Sequence, residues 1–224
     1  MCGRFAQYSS RDDYFASLRL KPDEIIYDPE PIDRFNVAPG TKVLLLNERD
    51  NELHFDPVYW GYGPEWWDKQ PLINARGETA ATGRMFKPLW EHGRAIVSAN
   101  GWYEWKREGD KKQPYFIYHK EKEPLFFAAI GKAPYGKDHG HEGFVIVTAA
   151  SNKGMVDIHD RRPLVLSADA VREWLSAETT SERAQEIAHE AALPEKDFTW
   201  HPVTAKVGNI HNQGEALIKE IKPD

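Results

Sequence analysis

Short runs of β-branched and aromatic residues, separated by polar turn-forming segments, recur along most of this chain. Two of them, 42–46 (KVLLL) and 53–60 (LHFDPVYW), flank the polar segment NERDNE, and this arrangement predicts a β-hairpin. Four more runs follow in the middle of the chain and a shorter one near its end: 94–105, 113–120, 124–131, 143–150 and 198–204. Because turn formers such as KREGDKK separate the middle four, the pattern predicts an antiparallel meander.

Four other segments have helical patterns. The first helix is predicted to start at Ser9 or Ser10, with two aspartates in its first turn, where they favour the positive end of the helix dipole. A second helix is predicted over 78–90, although Pro88 would end or kink it. The remaining two are the helix that Ser167 can cap and the segment SERAQEIAHEAA at 181–192.

The order of these segments predicts the fold class. Helix and strand patterns do not alternate regularly, so a parallel Rossmann-type sheet is not expected. No repeat, low-complexity tract or long linker divides the chain. We therefore predict an α+β fold in a single domain over residues 1–224, with a curved, barrel-like, mainly antiparallel sheet and a few flanking helices.

Composition limits where the protein can work. The 224 residues include one cysteine, so no internal disulfide can form, which favours a reducing compartment. Charged residues close to the N-terminus interrupt any apolar signal core. No apolar run approaches the roughly 18 residues that a membrane helix needs. We expect a soluble, cytoplasmic protein without a membrane partner.

Charge is spread unevenly along the chain, whose formal net charge is −6. Residues 69–112 carry nine Lys and Arg against five Asp and Glu, whereas residues 167–197 carry three against eight. This asymmetry is compatible with a basic face on an acidic body, which would steer an anionic ligand, and equally with ordinary scatter on a solvated surface.

Common cofactor and metal motifs are missing, since the sequence contains no GxxxxGK[ST], GxGxxG, GxSxG or HExxH. The segment HGHE offers His139, His141 and Glu142 as metal ligands. It adjoins a Gly-rich turn and has no third histidine at a useful spacing, so an exposed loop is the better interpretation. We expect neither a cofactor nor a metal.

Several polar residues stand in apolar or Gly/Pro-rich surroundings: Asn36, Asn74, Arg76, Glu104, His159, Arg161 and Arg162. Glu104 lies between two aromatic residues, and burial there would raise its pKa and suit it to general acid–base work. Strand alternation also allows an outward-facing Glu104, opposite both aromatics. Taken singly, His159 could be an ordinary loop histidine and Asn74 an Asx-turn residue.

Five motifs in a fixed order resemble the SRAP family (SOS response-associated peptidase): MCGRF, NVAPG, NAR.ET, GWYEW and IHDRRP. The resemblance extends from Cys2 to the GN and NQG segments near Gly208 and Gln213. It implies a compact α+β domain with a barrel-like sheet. The family pattern makes Cys2 the nucleophile after removal of Met1.

The resemblance also implies roles for the other polar residues. Those that support catalysis are Asn74, Glu104 and His159. Those at positions where family members contact the DNA backbone or orient the site are Arg4, Asn36, Arg76 and Arg161. Trp67 and Met85 are expected to stack on bases or wedge against them.

Family members of this kind covalently shield abasic sites in single-stranded DNA, and the resemblance implies the same reaction for this chain. An N-terminal cysteine carries an amine and a thiol on adjacent carbons, so it can condense with the ring-opened sugar aldehyde to a thiazolidine. The expected partner is single-stranded DNA with an abasic site, bound by a monomer. Two alternatives remain: an N-terminal-nucleophile peptidase that removes Met1 or cleaves other peptides, and a non-covalent single-strand binding module.

Overall fold

A computed structural model describes residues 2–27, 33–132 and 143–222 of the protein. Within these residues the chain forms fourteen strands and four α-helices. The strands are β1 (Phe5–Gln7), β2 (Ile25–Tyr27), β3 (Arg34–Val37), β4 (Lys42–Arg49), β5 (Glu52–Tyr59), β6 (Asn74–Arg76), β7 (Arg94–Ala99), β8 (Gly101–Glu108), β9 (Lys111–His119), β10 (Leu125–Gly131), β11 (Phe144–Ala150), β12 (Arg161–Pro163), β13 (Val165–Leu166) and β14 (Phe198–Pro202). The helices are α1 (Arg11–Ser17), α2 (Lys87–His92), α3 (Ala168–Leu175) and α4 (Ser181–Glu190).

The strands divide between two sheets. The smaller sheet has the order β14-β9-β8-β1-β3; the larger has the order β12-β11-β10-β7-β4-β5-β2, with β13 beside β10 and β6 beside β11. Pairing is mainly antiparallel, but β2 with β5 and β6 with β11 are parallel. The α+β prediction is confirmed. The barrel-like sheet is not, because the strands form two open sheets instead of one that closes on itself.

The long run at 94–105 changes sheet in its middle, and there the predicted meander is wrong. β7 pairs with β10 in the larger sheet, whereas β8 pairs with β9 and β1 in the smaller one. Asn100 lies between β7 and β8, where the chain passes from the larger sheet to the smaller one. Its side chain accepts from the backbone N–H of Tyr8 at 2.9 Å and donates to Ser9 Oγ at 2.6 Å. A Cβ at Gly101 would lie 2.3 Å from the Phe116 ring, so the crossing strand needs glycine there.

Strand alternation fills a separate core on each face of the larger sheet. Ile96 and Phe126 pack with side chains from all four helices, and Val97 and Phe127 pack against the smaller sheet. Trp102 of β8 meets Phe127 edge-on, with ring centroids 6.0 Å apart. A third cluster covers the outer face of the smaller sheet with residues from the C-terminal segment. Both faces of the smaller sheet are therefore covered.

Locally determined elements agree with the sequence predictions. β4 and β5 form the predicted hairpin, although β4 extends three residues beyond the predicted run and β5 is shifted by one residue. Asp50 and Asn51 connect them with φ of 53° and 62°. Positive φ at both positions is what a two-residue turn between twisted strands requires. Ser10 caps α1 by accepting from Asp13 N at 3.1 Å. α4 also lies where it was predicted.

Two helix predictions need correction. The segment predicted as helix over 78–90 forms turns until residue 86, and α2 begins only at Lys87. Pro88 does not end this helix but lies in its first turn, where its missing N–H costs nothing. Ser167 precedes α3 as predicted, but its side chain makes no capping hydrogen bond.

The HGHE segment lies outside the described residues. Among the residues that are described, no group of three His, Cys, Asp or Glu side chains could hold a metal ion. In the same part of the chain, no helix has the length and apolar character to span a membrane.

Candidate active site and nucleic-acid interface

Cys2 and Glu104 come together because β1 and β8 are neighbours in the smaller sheet. Phe5 pairs with Trp102, and the N–H of Tyr103 donates to the carbonyl of Arg4 at 3.0 Å. The antiparallel register then carries the chain from Phe5 back to Cys2 as β8 runs forward to Glu104. Cys2 is fully buried, and burial together with the Glu104 carboxylate raises the pKa of its thiol.

Glu104 is a buried acid–base group. Its residue is 4% exposed, and burial raises its pKa to about 7, with a small further contribution from Asp160. The outward-facing interpretation is wrong, because Trp102 on its own side of β8 lies in the core between the sheets. Both protonation states of Glu104 are populated near neutral pH, as a group that takes and returns a proton requires.

This burial predicts a pH-dependent stability. Between pH 4.5, the ordinary pKa of the group, and about 7, the unfolded chain ionises Glu104 while the folded chain keeps it neutral. The folded state binds more protons there, so rising pH lowers the free energy of unfolding. Glu104→Gln removes this loss, and its stability relative to the parent should increase by up to about 3 kcal/mol between pH 4.5 and 8.

Urea denaturation of both proteins at pH 4.5, 6 and 8 measures this difference. Glu108→Gln, which changes an exposed carboxylate on the same strand, is the matched control. A stability difference between Glu104→Gln and the parent that stays constant over this range would contradict the raised pKa.

Asn74 reaches Cys2 from the larger sheet. It begins β6, which lies parallel to β11 with Asn74 opposite Ile146. Its side-chain Nδ2 donates to the carbonyl of Cys2 at 3.1 Å. Its Oδ1 is buried and has no hydrogen-bond partner among the described residues. Asn74 therefore fixes the backbone of Cys2 and keeps one acceptor for a donor not yet present.

His159 lies in the loop between β11 and β12. Burial lowers the pKa of its imidazole, so the ring is neutral at neutral pH. Nδ1 accepts from the backbone N–H of Arg161 at 3.0 Å and also lies 3.1 Å from Asp160 Oδ1. The hydrogen-bond pattern thus assigns the proton of the neutral ring to Nε2. His159 offers an N–H donor at Nε2 rather than a base.

Arg76 and Arg161 share the carboxylate of Glu78 but differ in exposure. Arg161 is 3.0 Å from Glu78 Oε2, donates to Thr148 Oγ1 at 2.9 Å, and its side chain is 9% exposed. Arg76 is 3.5 Å from Glu78 Oε2 and its side chain is 68% exposed. Arg76 has the exposure that a phosphate contact needs, whereas the contacts of Arg161 orient the site from within.

Arg4 and Asn36 hold the C-terminal loop, residues 207–213. Arg4 donates to the carbonyls of Val207 and Gly208 at 2.7 and 3.1 Å. Asn36 is buried, and its Nδ2 lies within hydrogen-bond distance of the Val207 carbonyl and of two further loop carbonyls. Gln213 completes the attachment by pairing with the Asn36 backbone through both ends of its amide. These hydrogen bonds hold the C-terminal loop against Arg4 and strand β3.

Trp67 belongs to an aromatic cluster that is larger than the sequence analysis predicted. Trp66 packs edge-on against it, with ring centroids 6.2 Å apart, and Trp66 is half exposed. The Arg84 guanidinium lies 4.4 Å from the centre of the Trp66 ring. Met85 is partly buried against the helical core. The adjacent tryptophans, just ahead of the basic stretch 69–112 that contains Arg84, were the signal that could have identified Trp66 and Arg84.

One hydrogen bond and two electrostatic interactions relate the predicted catalytic residues. Asn74 donates to the Cys2 carbonyl, the Glu104 carboxylate contributes to the raised pKa of the Cys2 thiol, and the charge of Asp160, which follows His159, contributes to the raised pKa of Glu104. The smaller sheet supplies the thiol and the carboxylate, and the larger sheet supplies the amide and the imidazole. Sequence reasoning missed Glu78 and Thr148, which connect Arg161 to the site.

This fold and site define an α+β protein with a fully buried cysteine thiol beside a buried carboxylate of raised pKa. The family model described as SOS response associated peptidase (SRAP) matches residues 1–210. The chain belongs to the SRAP family, and the resemblance seen in its motifs is confirmed.

Several relatives match most of the chain. Abasic site processing protein YedK of Escherichia coli (strain K12) is 62% identical over 99% of this chain and 100% of its own length. Abasic site processing protein YoaM of Bacillus subtilis is 33% identical over 81% and 82%. HMCES of Xenopus tropicalis, also an abasic site processing protein, is 31% identical over 83% and 63%. A phage-related protein of Bordetella bronchiseptica has a similar solved structure, with a TM-score of 0.79, 37% identity, and 90% and 94% coverage.

Proposed function

We propose that this protein recognises abasic sites in single-stranded DNA and bonds to them covalently through Cys2 once Met1 has been removed. The observation that carries the proposal is the convergence of Asn74 and Glu104 on Cys2. The names of the relatives, which are abasic site processing proteins, support the substrate class. The protein is proposed to act as a monomer and without a cofactor.

The first step opens the sugar. An abasic site is mostly a cyclic hemiacetal, in which a hydroxyl and the ring oxygen share one carbon. The ionised form of Glu104 takes the hydroxyl proton as the bond from that carbon to the ring oxygen breaks, which leaves an aldehyde. The ring oxygen takes up a proton from solvent as it leaves, and the Nε2–H of His159 is suited to donate a hydrogen bond to it.

The amine of Cys2 then attacks the aldehyde carbon. The resulting carbinolamine loses water when Glu104, now protonated, returns its proton to the departing hydroxyl. The nitrogen then releases its own proton to solvent, and an imine remains. Asn74 keeps the residue in place through the Cys2 carbonyl, and its Oδ1 can accept from the amine. The raised pKa of the thiol keeps the sulfur protonated near neutral pH, which supports the amine as the first nucleophile.

The thiol closes the ring in the last step. Its sulfur bonds to the imine carbon, and the thiol proton passes to the imine nitrogen, with Glu104 as the carrier. The product is a five-membered thiazolidine. The whole reaction releases one water and oxidises nothing, so it needs no further reagent.

The residues that we propose to bind DNA differ from those that we propose to carry out the reaction. Arg76 would contact phosphate, and Trp66 and Trp67 would stack on bases beside the guanidinium of Arg84. Arg161 and Asn36, which are buried, would orient the site, and Arg4 would do so through the C-terminal loop.

Intact-mass spectrometry of the protein, mixed with a single-stranded oligonucleotide that has one abasic site, tests the proposal. We expect a species with the mass of protein without Met1 plus DNA minus one water. A strand with a tetrahydrofuran site, which cannot form an aldehyde, is the matched control and should give none. Tight binding without an adduct would support the non-covalent module instead. Peptide hydrolysis without an adduct would support the peptidase.

A further inference from the structure

We propose that Arg162 and Glu195 are positioning residues, which hold the loop of residues 151–160 so that His159 faces Cys2 and Glu104. The inference rests on the proposed function, because it assigns these two side chains to the placement of a proposed catalytic residue. Both are buried; the sequence analysis singled out Arg162 without assigning it a role and did not name Glu195.

The loop is closed on itself, and its Met155 and Ile158 pack into the core between the two sheets. The N–H of Ser151 donates to the carbonyl of Asp160 at 2.9 Å, which joins its two ends. Between them the chain makes a short 3-10 helix, Lys153–Asp157, and the N–H of His159 donates to the Met155 carbonyl at 3.2 Å. The direction of the imidazole therefore depends on where this helical turn is attached.

Glu195 provides a polar attachment at the start of the helical turn, in addition to the core packing of Met155 and Ile158. The residue is 8% exposed and lies in the short 3-10 helix that precedes β14. Its Oε1 accepts from the backbone N–H of Asn152, the residue that precedes the helical turn of the loop. In the amide orientation that satisfies both groups, the side-chain nitrogen of Asn152 donates to Oε2 at 2.7 Å. We call these two hydrogen bonds from Asn152 to Glu195 the clamp. Hydrogen bonds to a carboxylate are stronger than those between neutral groups, so the clamp is well suited to fix the loop.

Arg162 balances the charge of the clamp. It is 7% exposed, its Nη2 donates to the carbonyl of Leu193 at 2.8 Å, and its guanidinium lies 5.6 Å from the centre of the Phe198 ring. Its Nε and Nη1 are buried without a hydrogen-bond partner among the described residues. Burial lowers the pKa of Arg162 and the charge of Glu195 opposes this effect. A buried charge is costly unless an opposite one compensates it, so each residue stabilises the other.

The clamp also crosses from one sheet to the other. Glu195 leads into β14 of the smaller sheet, which carries Cys2 and Glu104 on neighbouring strands. Asn152 follows β11 of the larger sheet, and the loop returns to that sheet at β12. Glu195 thus sets the position of the His159 loop relative to the sheet that supplies the thiol and the carboxylate. A contact within either sheet alone could not do this.

Two variants separate the effect of the hydrogen bonds to Asn152 from the effect of the buried charges of Glu195 and Arg162. Glu195→Ala removes both bonds to Asn152, and we expect adduct formation to slow by roughly ten- to a hundredfold, the loss that a misplacement of about 1 Å can cause. Glu195→Gln keeps an acceptor for the Asn152 N–H. Combined with Arg162→Met it removes both buried charges, and this double variant should react within about threefold of the parent rate.

Nitrogen-15 NMR of the His159 ring measures its tautomer and its titration. A lower stability of the whole protein does not by itself change either of them. In Glu195→Ala the bond from the Arg161 N–H to Nδ1 should loosen, and the ring's tautomer balance and titration should shift. Ile187→Ala, in the helical core, is the control for lost stability and should leave the ring signals unchanged. Asn152→Ala, at an exposed position, removes one bond without touching a core and should slow the reaction severalfold even if Glu195→Ala does not fold.

Parental rates and an unchanged His159 titration in Glu195→Ala, or in Asn152→Ala where the former does not fold, would overturn the inference. Failure of the proposed function gives a different result. In that case the parent forms no adduct with abasic DNA, while the NMR comparison still reports whether Glu195 positions the imidazole.

Discussion

A chain that keeps any residue in front of Cys2 should form no covalent adduct with abasic single-stranded DNA, although it should still bind that DNA. The reason is that a preceding residue converts the Cys2 amine into an amide, whose nitrogen no longer attacks an aldehyde. The thiol by itself can add only reversibly. Chains that begin at Cys2 and chains with an uncleaved N-terminal tag can be compared by intact mass, with binding followed by fluorescence anisotropy.

An added N-terminal residue occupies space as well as removing the free amine, and Cys2 is fully buried. The steric effect therefore has to be separated from the loss of the amine. A chain that begins at Cys2 but has a formyl group on the amine carries the smallest practical block. It should fail to form the adduct as completely as the tagged chain does. An adduct at the normal rate from either blocked chain would show that the bond forms on another side chain.

The sequence predicts well those features that depend on near neighbours. The β4–β5 hairpin and the Ser10 cap of α1 each involve residues a few positions apart, so turn chemistry and capping rules were sufficient. The run at 94–105 has strand propensity throughout, and nothing in that propensity marks Asn100 as the point where the chain leaves one sheet for another. The polar contacts that hold Asn100 come from Tyr8 and Ser9, more than 90 positions away.

The candidate site shows the same limit. Alternation put Glu104 on the face of its strand opposite Tyr103 and Trp105, but it could not tell whether that face was covered. The cover comes from the larger sheet, so the raised pKa is a property of tertiary packing. Asn36 was selected for DNA contact or site orientation, and the carbonyls that occupy its amide lie more than 170 positions further along the chain. Adjacent arginines gave no sign that Arg161 and Arg162 point to different partners.

Replacing Cys2 by alanine should convert a permanent link into a transient one. Cys2→Ala keeps the α-amine after removal of Met1, so it can still form the imine, but it has no thiol to close the ring. An imine hydrolyses readily, and on an abasic site it also promotes β-elimination of the 3′ phosphate. The variant should therefore give a link that only borohydride can trap, together with cleavage of the strand.

The unaltered protein should instead give an adduct that survives heating and leaves the strand intact, because the thiazolidine has no imine left to hydrolyse or eliminate. Cys2→Ser is the matched control: it keeps the size of the buried side chain, but its hydroxyl is a poorer nucleophile, so it should behave like Cys2→Ala. Glu104→Gln should slow link formation in both backgrounds, since ring opening and loss of water precede thiol closure and need the same proton carrier. Denaturing gels with and without borohydride measure all five proteins on one labelled strand: the parent, Cys2→Ala, Cys2→Ser, and Glu104→Gln in the parent and in Cys2→Ala. A heat-stable, unreduced adduct from Cys2→Ala would exclude the thiazolidine, because the sulfur that closes that ring would be absent.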